Sequence, residues 1–295
     1  MTQDTLHIGD ISPTDELTVL SRDDLASYSL STNWPTYQHV MGPGDILARS
    51  RQLEEYAPQL TQCQPRPTLC FVFGVGEDGD RAATRLGGLP FWPSSQQWPT
   101  AQNGAAKQFI GQFDFRSVRW PEPLPGDVLT VHFDYDWDGD GRFNGAAHGA
   151  AATLTWHDSS CTDLLSRTDL PPPNEWYAAP GPFYSRPVLQ TDYKTEWSEH
   201  AQAFTVHGMK IGGHSPFFRA NWTELTSAIP EPVFLCSIGY VSPDIQAEEP
   251  DAWLKSRVRD PNTEVGDAMF PGAGVLAIAY EKGNPSNLYW IAYSP

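Results

Sequence analysis

The pattern of hydrophobic and polar residues predicts strands over most of the chain. Residues 67–76 form a run rich in β-branched and aromatic side chains that ends at glycines. In residues 107–118 and 126–141, successive side chains fall into two alternating sets, one for each face of a strand. This pattern is typical of strands with one buried face. Strands are also predicted within 150–158, 232–243, 272–281 and 287–295.

Helical patterns are scarce. Residues 45–57 predict one helix, because Asp45 is a candidate N-cap, Pro58 marks the end and four apolar side chains share a face. These four are Ile46, Leu47, Leu53 and Tyr56. A second, short helix is predicted over 251–260.

An internal repeat organises the chain. The segments RLGGLPFW and KIGGHSPFF place Gly87 and Gly212 125 residues apart, and FIGQFDF and FLCSIGY place Phe109 and Phe234 at the same separation. A third pair, LPGDVLTVHFDY and FPGAGVLAIAYE, follows at an offset of 146, which indicates an insertion in the second copy. Each copy is too small and too open-edged to stand alone, so we expect both to pack into one body.

The predicted fold class is therefore a β-rich α+β protein with an internally duplicated strand-turn-strand unit and few helices. Four regions are predicted along the chain. They are an irregular N-terminal extension over 1–43, a helix with the first repeat over 44–167, a connection with six prolines over 168–187, and the second repeat over 188–295.

The composition narrows the possible partners. The net charge of −17 disfavours nucleic acid, because a surface this acidic repels phosphates, and it favours a basic protein partner. The first sixteen residues lack the features of a signal peptide, and no apolar run reaches the ~20 residues that span a bilayer. We therefore expect a cytoplasmic protein that does not enter membranes.

Metal-binding motifs are weak in this sequence. Cys63 and Cys70 are seven residues apart, which is not a zinc-site spacing, and the eight histidines form no H-x-x-x-H pair. His200 and His207 lie in a polar region and are expected at the surface. Cys70 and Cys236 are expected to be buried thiols. We predict no cofactor and no resident metal.

The acidic segment DYDWDGDG, from Asp134 onward, suggests a calcium loop at its first positions. The twelfth position is Gly145 rather than the bidentate glutamate, so calcium is disfavoured and an acidic hairpin end is favoured. Whether the Asp134–Asp140 carboxylates hold a cation, or serve as the acid and base of a hydrolase, stays open at this point.

The segment RLGGLPFWPSSQQWP forms a corner that is neither helix nor central strand. Gly87 and Gly88 permit positive φ or a close backbone approach, and the prolines give Trp92 and Trp98 defined directions. Two interpretations remain: the indoles close the end of the β-core, or they form a platform that faces a ligand.

The ordered series RLGGLPFWPSSQQWP, FIGQFDF, LPGDVLTVHFDYD, KIGGHSPFF and GDAMFPGAGVLAIAYE resembles the bacterial YwqG-like family, a domain of unknown function. The resemblance covers roughly residues 45–295. The segment HSPFFRANW departs from the family pattern, so contacts that relatives make there do not carry over. The resemblance implies a duplicated β-rich fold without established catalytic residues, and some relatives look like immunity or accessory proteins beside secreted toxins.

Three functions are compatible with these observations. The leading prediction is a non-enzymatic cytoplasmic protein that binds a basic partner, such as a toxin domain. The alternatives are a small-molecule or glycan sensor with a cleft between the repeats, and a hydrolase that uses the Asp134–Asp140 cluster. No catalytic residue is assigned, and the candidate binding residues are Trp92, Trp98, Gln112, Trp137, Phe217 and Trp222.

Overall fold

The computed structural model describes about half of the chain, and every structural statement below concerns these residues. They are 11–14, 17–19, 21, 23, 64–134, 151–172, 182–193, 208–215, 229–239 and 275–293. The helices predicted over 45–57 and 251–260 lie outside the described residues. The predicted boundaries of the four regions remain predictions.

The described residues form twelve strands and one 3-10 turn at Arg167–Asp169. In chain order they are β1 Ser12–Pro13, β2 Arg66–Val75, β3 Arg85–Leu86, β4 Gln108–Asp114, β5 Val118–Arg119, β6 Val128–Phe133, β7 Ala152–His157, β8 Phe183–Asp192, β9 Lys210–Gly212, β10 Pro232–Ile238, β11 Val275–Glu281 and β12 Asn284–Tyr293. β1 and β5 form a separate two-stranded ribbon, and the other ten strands form one antiparallel sheet.

The predicted α+β class is wrong. The described residues form a β-structure whose sheet curves until it nearly closes into a barrel, with no α-helical layer among them. Near the two ends of the sheet, Trp156 Nε1 donates to the Pro285 carbonyl at 3.3 Å, and the rings of Phe133 and Trp290 lie 6.1 Å apart. A sheet that curves this far buries one face against itself, so it needs no helix to cover that face.

The strand order has the same arrangement on both sides of a central pair. β2 and β8 pair through ten residues at the centre, from Arg66 opposite Asp192 to Val75 opposite Phe183. On one side follow β3, β4, β6 and β7, here called the first half, and on the other follow β9, β10, β11 and β12, the second half. β3 pairs with β8 and β9 pairs with β2, so strands from both parts of the chain alternate at the centre.

The registers of the two halves correspond residue by residue. Leu86 lies opposite Gly111 as Ile211 lies opposite Cys236, at the 125-residue offset. Both second pairs, β4–β6 and β10–β11, contain an irregularity at the same place, next to Phe109 and Phe234. The offset between equivalent residues of β6 and β11, such as His132 and Ala279, is 147. It is one more than the offset of 146 between the preceding Pro-Gly turns.

The interior of the curved sheet is an apolar core. Its members are side chains from both halves that point toward each other, together with Ile11 ahead of β1. Among them are Phe113, Leu129, Val131, Phe133, Leu235, Leu276, Ile278 and Tyr280. The opposite face of the sheet is also covered, and it is there that the two halves differ.

Candidate functional site

A buried clamp holds the glycine corner of the first half. The Arg85 guanidinium, 2% exposed, donates to Glu77 Oε2 at 3.0 Å and to the Leu89 carbonyl at 3.2 Å, and it also bonds the Asp80 carbonyl. The same Glu77 carboxylate accepts the Leu89 N–H at 3.2 Å. Burial lowers the pKa of Arg85, and the nearby carboxylates oppose this shift. The Arg85 guanidinium and the Glu77 carboxylate thus bond the carbonyl and the N–H of Leu89, respectively.

The second half repeats this clamp with different residues. Lys210 Nζ lies 2.5 Å from Asp192 Oδ2 and 2.6 Å from the His214 carbonyl, and the His214 N–H donates to Asp192 at 2.9 Å. Lys210 and Asp192 are both fully buried. In both halves the cationic residue lies four positions before the residue whose carbonyl it bonds, Arg85 before Leu89 and Lys210 before His214. This spacing explains why each corner segment begins with a cation.

The corner glycines make the clamps possible. Gly87, Gly88, Gly212 and Gly213 all have φ between 59° and 76°, where a side chain is strained. A Cβ on Gly88 would lie 2.8 Å from Glu77 Oε1, and one on Gly213 would lie 2.5 Å from Asp192 Oδ2. The carboxylates therefore occupy the space that the missing side chains leave.

Gln112, one of the predicted binding residues, is fully buried and bonded within the chain. Its Oε1 accepts the Phe91 N–H at 2.7 Å, and its Nε2 donates to the carbonyls of Arg81 and Ala83 at 2.7 and 2.9 Å. Ser237, 125 residues later, bonds the Gly208 carbonyl at 3.0 Å in the corresponding way. In this structure Gln112 ties the corner to β4.

The two corner tryptophans lie side by side over the first half. Trp92 is 1% exposed, and its Nε1 donates to the Gln96 carbonyl at 3.0 Å. Trp98 is only partly buried, and its Nε1 donates to the Lys107 carbonyl at 2.8 Å. Their ring centroids are 5.6 Å apart. The burial of Trp92 leaves Trp98 as the indole with exposed surface.

Beneath these indoles lies a polar layer that we call the histidine layer. It consists of Thr130, His132, Thr153, Thr155 and His157, which share the outer face of β6 and β7. The sequence predicted one buried face for β6, yet all six residues of this strand are buried, because the corner covers the outer face. His132 lies on this outer face and is 0% exposed.

His132 stands among aromatic rings. The ring centroids of Trp92 and Trp98 each lie 4.8 Å from that of His132, and the Phe109 centroid lies 5.5 Å away. Neither ring nitrogen of His132 has a hydrogen-bond partner in the described structure. Burial lowers its pKa to about 3, and the charges of His157 and Lys107 add to this shift. The imidazole is therefore neutral at physiological pH.

The neighbours of His132 are also buried. His157 Nε2 lies 3.0 Å from the Thr130 hydroxyl, and burial lowers the pKa of His157 to about 4. Lys107, 5% exposed, donates from Nζ to the Thr153 hydroxyl at 3.0 Å. Burial lowers the pKa of Lys107, whereas the charge of Asp134 opposes this effect. Hydroxyl, imidazole and ammonium groups thus meet in one covered layer.

The other predicted residues are not part of this arrangement as described. Trp137, Phe217, Trp222 and the rest of the acidic segment after Asp134 lie outside the described residues. The described residues contain no group of three or more His, Cys, Asp or Glu side chains placed to hold a metal ion. Nor do they include a helix long and apolar enough to cross a membrane.

Sequence reasoning missed His132, His157 and Lys107. The available signal was the alternation in β6, where Val128, Thr130 and His132 share one face. What was lacking was the knowledge that the corner folds back over that face. Only the long-range hydrogen bonds of the corner, such as Leu165 N to the Trp92 carbonyl at 2.8 Å, establish the cover.

Comparison with known proteins identifies a family but assigns no function. The model of a family described as a domain of unknown function, DUF1963, matches residues 84–231. This stretch begins just before the first glycine corner and ends just before β10. None of the curated proteins matches the chain.

Proposed function

We propose that this chain, which belongs to the DUF1963 family of domains of unknown function, is a non-enzymatic protein that binds a basic protein partner. The finer YwqG-like designation rests on the five corner and strand segments quoted above. On this designation, the protein acts in a bacterial cytoplasm, and its partner is a cationic toxin domain that it neutralises or accompanies.

The observation that carries the proposal is the charge. The chain has a net charge of −17, and six of its described cations are each within 3.0 Å of a carboxylate. They are Arg85, Arg116, Arg167, Arg186, Lys210 and Lys282. Because cations engaged in this way are locally neutralised, the excess carboxylates dominate the field that an approaching protein meets.

A basic partner would be recognised through that field. Complementary charge accelerates association by about 10- to 10³-fold at low ionic strength, and salt screens the effect over about 10 Å at 0.1 M. Blocking a toxin by occupying its basic surface requires no chemistry in the binding protein. The proposal therefore needs no catalytic group.

The sensor alternative, with a cleft between the repeats, has less support from the geometry. Where the two parts of the chain meet, β2 and β8 are joined by a ten-residue ladder, and Trp92 is buried. For the hydrolase alternative, Asp134 donates its backbone N–H to the Ala151 carbonyl at 2.8 Å and lies near Lys107. No described group opposite it suggests an acid–base pair.

The first experiment is affinity purification of the tagged protein from lysate of its own cells at low salt, followed by mass spectrometry. The association rate of the purified partner is then measured over a range of salt concentrations. We expect a stoichiometric basic protein whose association slows at least tenfold between low and high salt. An association rate that salt leaves unchanged would contradict the proposal.

A charge variant sharpens this test. Replacing Glu248, Glu249 and Asp251 with Gln, Gln and Asn removes three negative charges within four positions. The association rate should fall several-fold at low salt while the dissociation rate changes little. Gln246→Ala, in the same segment and without a change of charge, is the matched control and should associate at the wild-type rate.

A further inference from the structure

The histidine layer differs from the corresponding surface of the second half in a way that folding does not require. His132 lies opposite Phe109, and the residue opposite the equivalent Phe234 is Ala279. Thr130 likewise corresponds to Ala277, and Thr155 to Ile291. The second half closes this face with an apolar cluster that includes Phe234, Ala277, Ala279 and Ile291. The same frame thus packs well without polar groups.

A histidine at position 132 lowers the stability of the fold if its only role is to fill space. It is fully buried, and both ring nitrogens lack a hydrogen-bond partner among the described residues. A buried polar atom without a partner loses its interaction with water and gains nothing in return. An apolar side chain of similar volume would avoid this cost, whereas the two ring nitrogens of His132 are available to a bound molecule.

The cover over His132 has one side that opens more easily. Trp92 is held at both ends, since its Nε1 bonds Gln96 and its carbonyl accepts the Leu165 N–H. Trp98 is partly exposed, and the hydrogen bond from its Nε1 runs to Lys107, within its own loop. This loop, residues 93–107, contains turns and isolated bridges rather than a strand. Trp98 is therefore the part of the cover over His132 whose displacement would disturb the sheet least.

We propose that the space beside His132 that the Trp98 ring now occupies is a binding site for a small, planar, uncharged molecule with a hydrogen-bonding group, as in an aromatic amide. This site is separate from the proposed basic-partner surface and does not depend on it. A ligand enters by taking the place of the Trp98 ring against His132.

The chemistry of the site defines this class of ligand. A neutral imidazole has one N–H donor and one acceptor nitrogen that point in different directions, so one of them can bond the carbonyl or the N–H of an amide. The rings of Trp92 and Phe109 form flat apolar walls within 5.5 Å of the His132 ring, which favours a planar molecule. Lys107 already contacts Thr153 and lies near Asp134, so the local charges are balanced without a charged ligand.

The test uses benzamide, with toluene and benzoate as controls of the same ring size. Binding is measured on the intact protein by isothermal titration and by shifts of the Trp98 indole N–H resonance. We expect saturable benzamide binding at least tenfold tighter than that of toluene or benzoate. Failure of benzamide to bind saturably, or equal binding of the three, would overturn the proposal.

Two variants locate the binding. His132→Leu keeps a similar volume and removes both ring nitrogens, so benzamide should bind at least tenfold more weakly, which corresponds to ~1.4 kcal/mol. Thr155→Val lies in the same layer, away from the proposed contact, and should bind within twofold of wild type. Benzamide binding that survives His132→Leu would place the ligand elsewhere and refute the assignment.

A stability measurement separates a binding role from a structural one. If His132 is present for a ligand, the urea midpoint of His132→Leu should be equal to or higher than that of the wild type, because an unpartnered polar group is removed. A clearly lower midpoint would show that the imidazole serves the fold and would count against the site. This readout does not depend on the choice of probe.

Discussion

The two halves of the sheet have the same registers and the same glycine corners but treat their outer faces differently. The first half places hydroxyls and two histidines under a pair of tryptophans, whereas the second half uses alanine, isoleucine and phenylalanine. The difference shows that the frame depends on strand pairing and the clamps, and that the outer layer is free to specialise. Experiments that act on one half alone can test this division.

Acid should produce the largest difference between the halves. The pKa values of His132 and His157 are lowered to about 3 and about 4, against 6.5 in an unfolded chain. As the pH falls below 6.5, the unfolded state therefore binds protons that the folded state refuses. Each histidine should reduce the free energy of unfolding by about 3 kcal/mol between pH 7 and pH 4.

Urea unfolding at a series of pH values measures this effect. His132→Leu should remove about half of the histidine contribution to the pH dependence below 6.5. Thr155→Val, which alters the same layer without removing a titratable group, is the control and should keep the wild-type pH dependence. An unchanged pH dependence in His132→Leu would mean that other groups cause the acid sensitivity.

Breaking a clamp should have the next largest effect, and the second half should suffer more. Lys210→Met leaves the fully buried Asp192 without its cation, which costs about 3–5 kcal/mol of unfolding free energy. Arg85→Met should cost less, because Glu77 is 30% exposed and keeps Arg167 at 2.6 Å. Thermal and urea unfolding of the two variants decide the order. Equal losses would contradict the description of the clamps.

The corner glycines should show a smaller, separable effect. Gly213→Ala combines backbone strain of about 1–2 kcal/mol with a Cβ 2.5 Å from Asp192, which adds about 1–3 kcal/mol. Gly104→Ala is the matched control, since its φ is +85° but no atom lies within 4 Å of the added Cβ. The control should lose the strain alone. Similar losses in both variants would remove the argument from close approach.

The smallest effect is expected at the surface. Lys282 Nζ lies 2.8 Å from Glu231, with both side chains largely exposed. Lys282→Met should leave the free energy of unfolding close to that of the wild type, and any difference should vanish in high salt. A loss comparable to that of Lys210→Met would show that burial does not separate the two ion pairs.

The sequence predicted the strands and the glycine corners better than it predicted which residues cover the outer face of each half. Alternation and glycine punctuation located most strands, and the 125-residue offset relates Arg85 to Lys210, whose clamps have the same geometry. It could not show that Lys210 pairs with Asp192 on a different strand, because that contact follows from the long-range pairing of β8, β2 and β9. The α+β prediction failed because helical patterns in two segments were allowed to set the class of the whole chain.

The site was the harder part to predict. The side chain of Gln112, a predicted binding residue, holds the corner in the structure. The burial of His132 does not follow from the sequence, because alternation within β6 cannot report what covers its outer face. Trp92 and Trp98 belong to one corner of the sequence, and their unequal exposure depends on tertiary contacts such as those with His132 and His157. Local patterns define faces, and only the tertiary structure assigns what lies on them.

Hydrogen exchange at pH 7 and pH 4.5, read separately for the two halves, tests the central claim most directly. Acidification should reduce the protection of amides in β6 and β7, which carry the histidines, well before that of β10 and β11. In His132→Leu this difference should shrink. Equal loss of protection in both halves at every pH would contradict the claim that one frame carries two different outer layers.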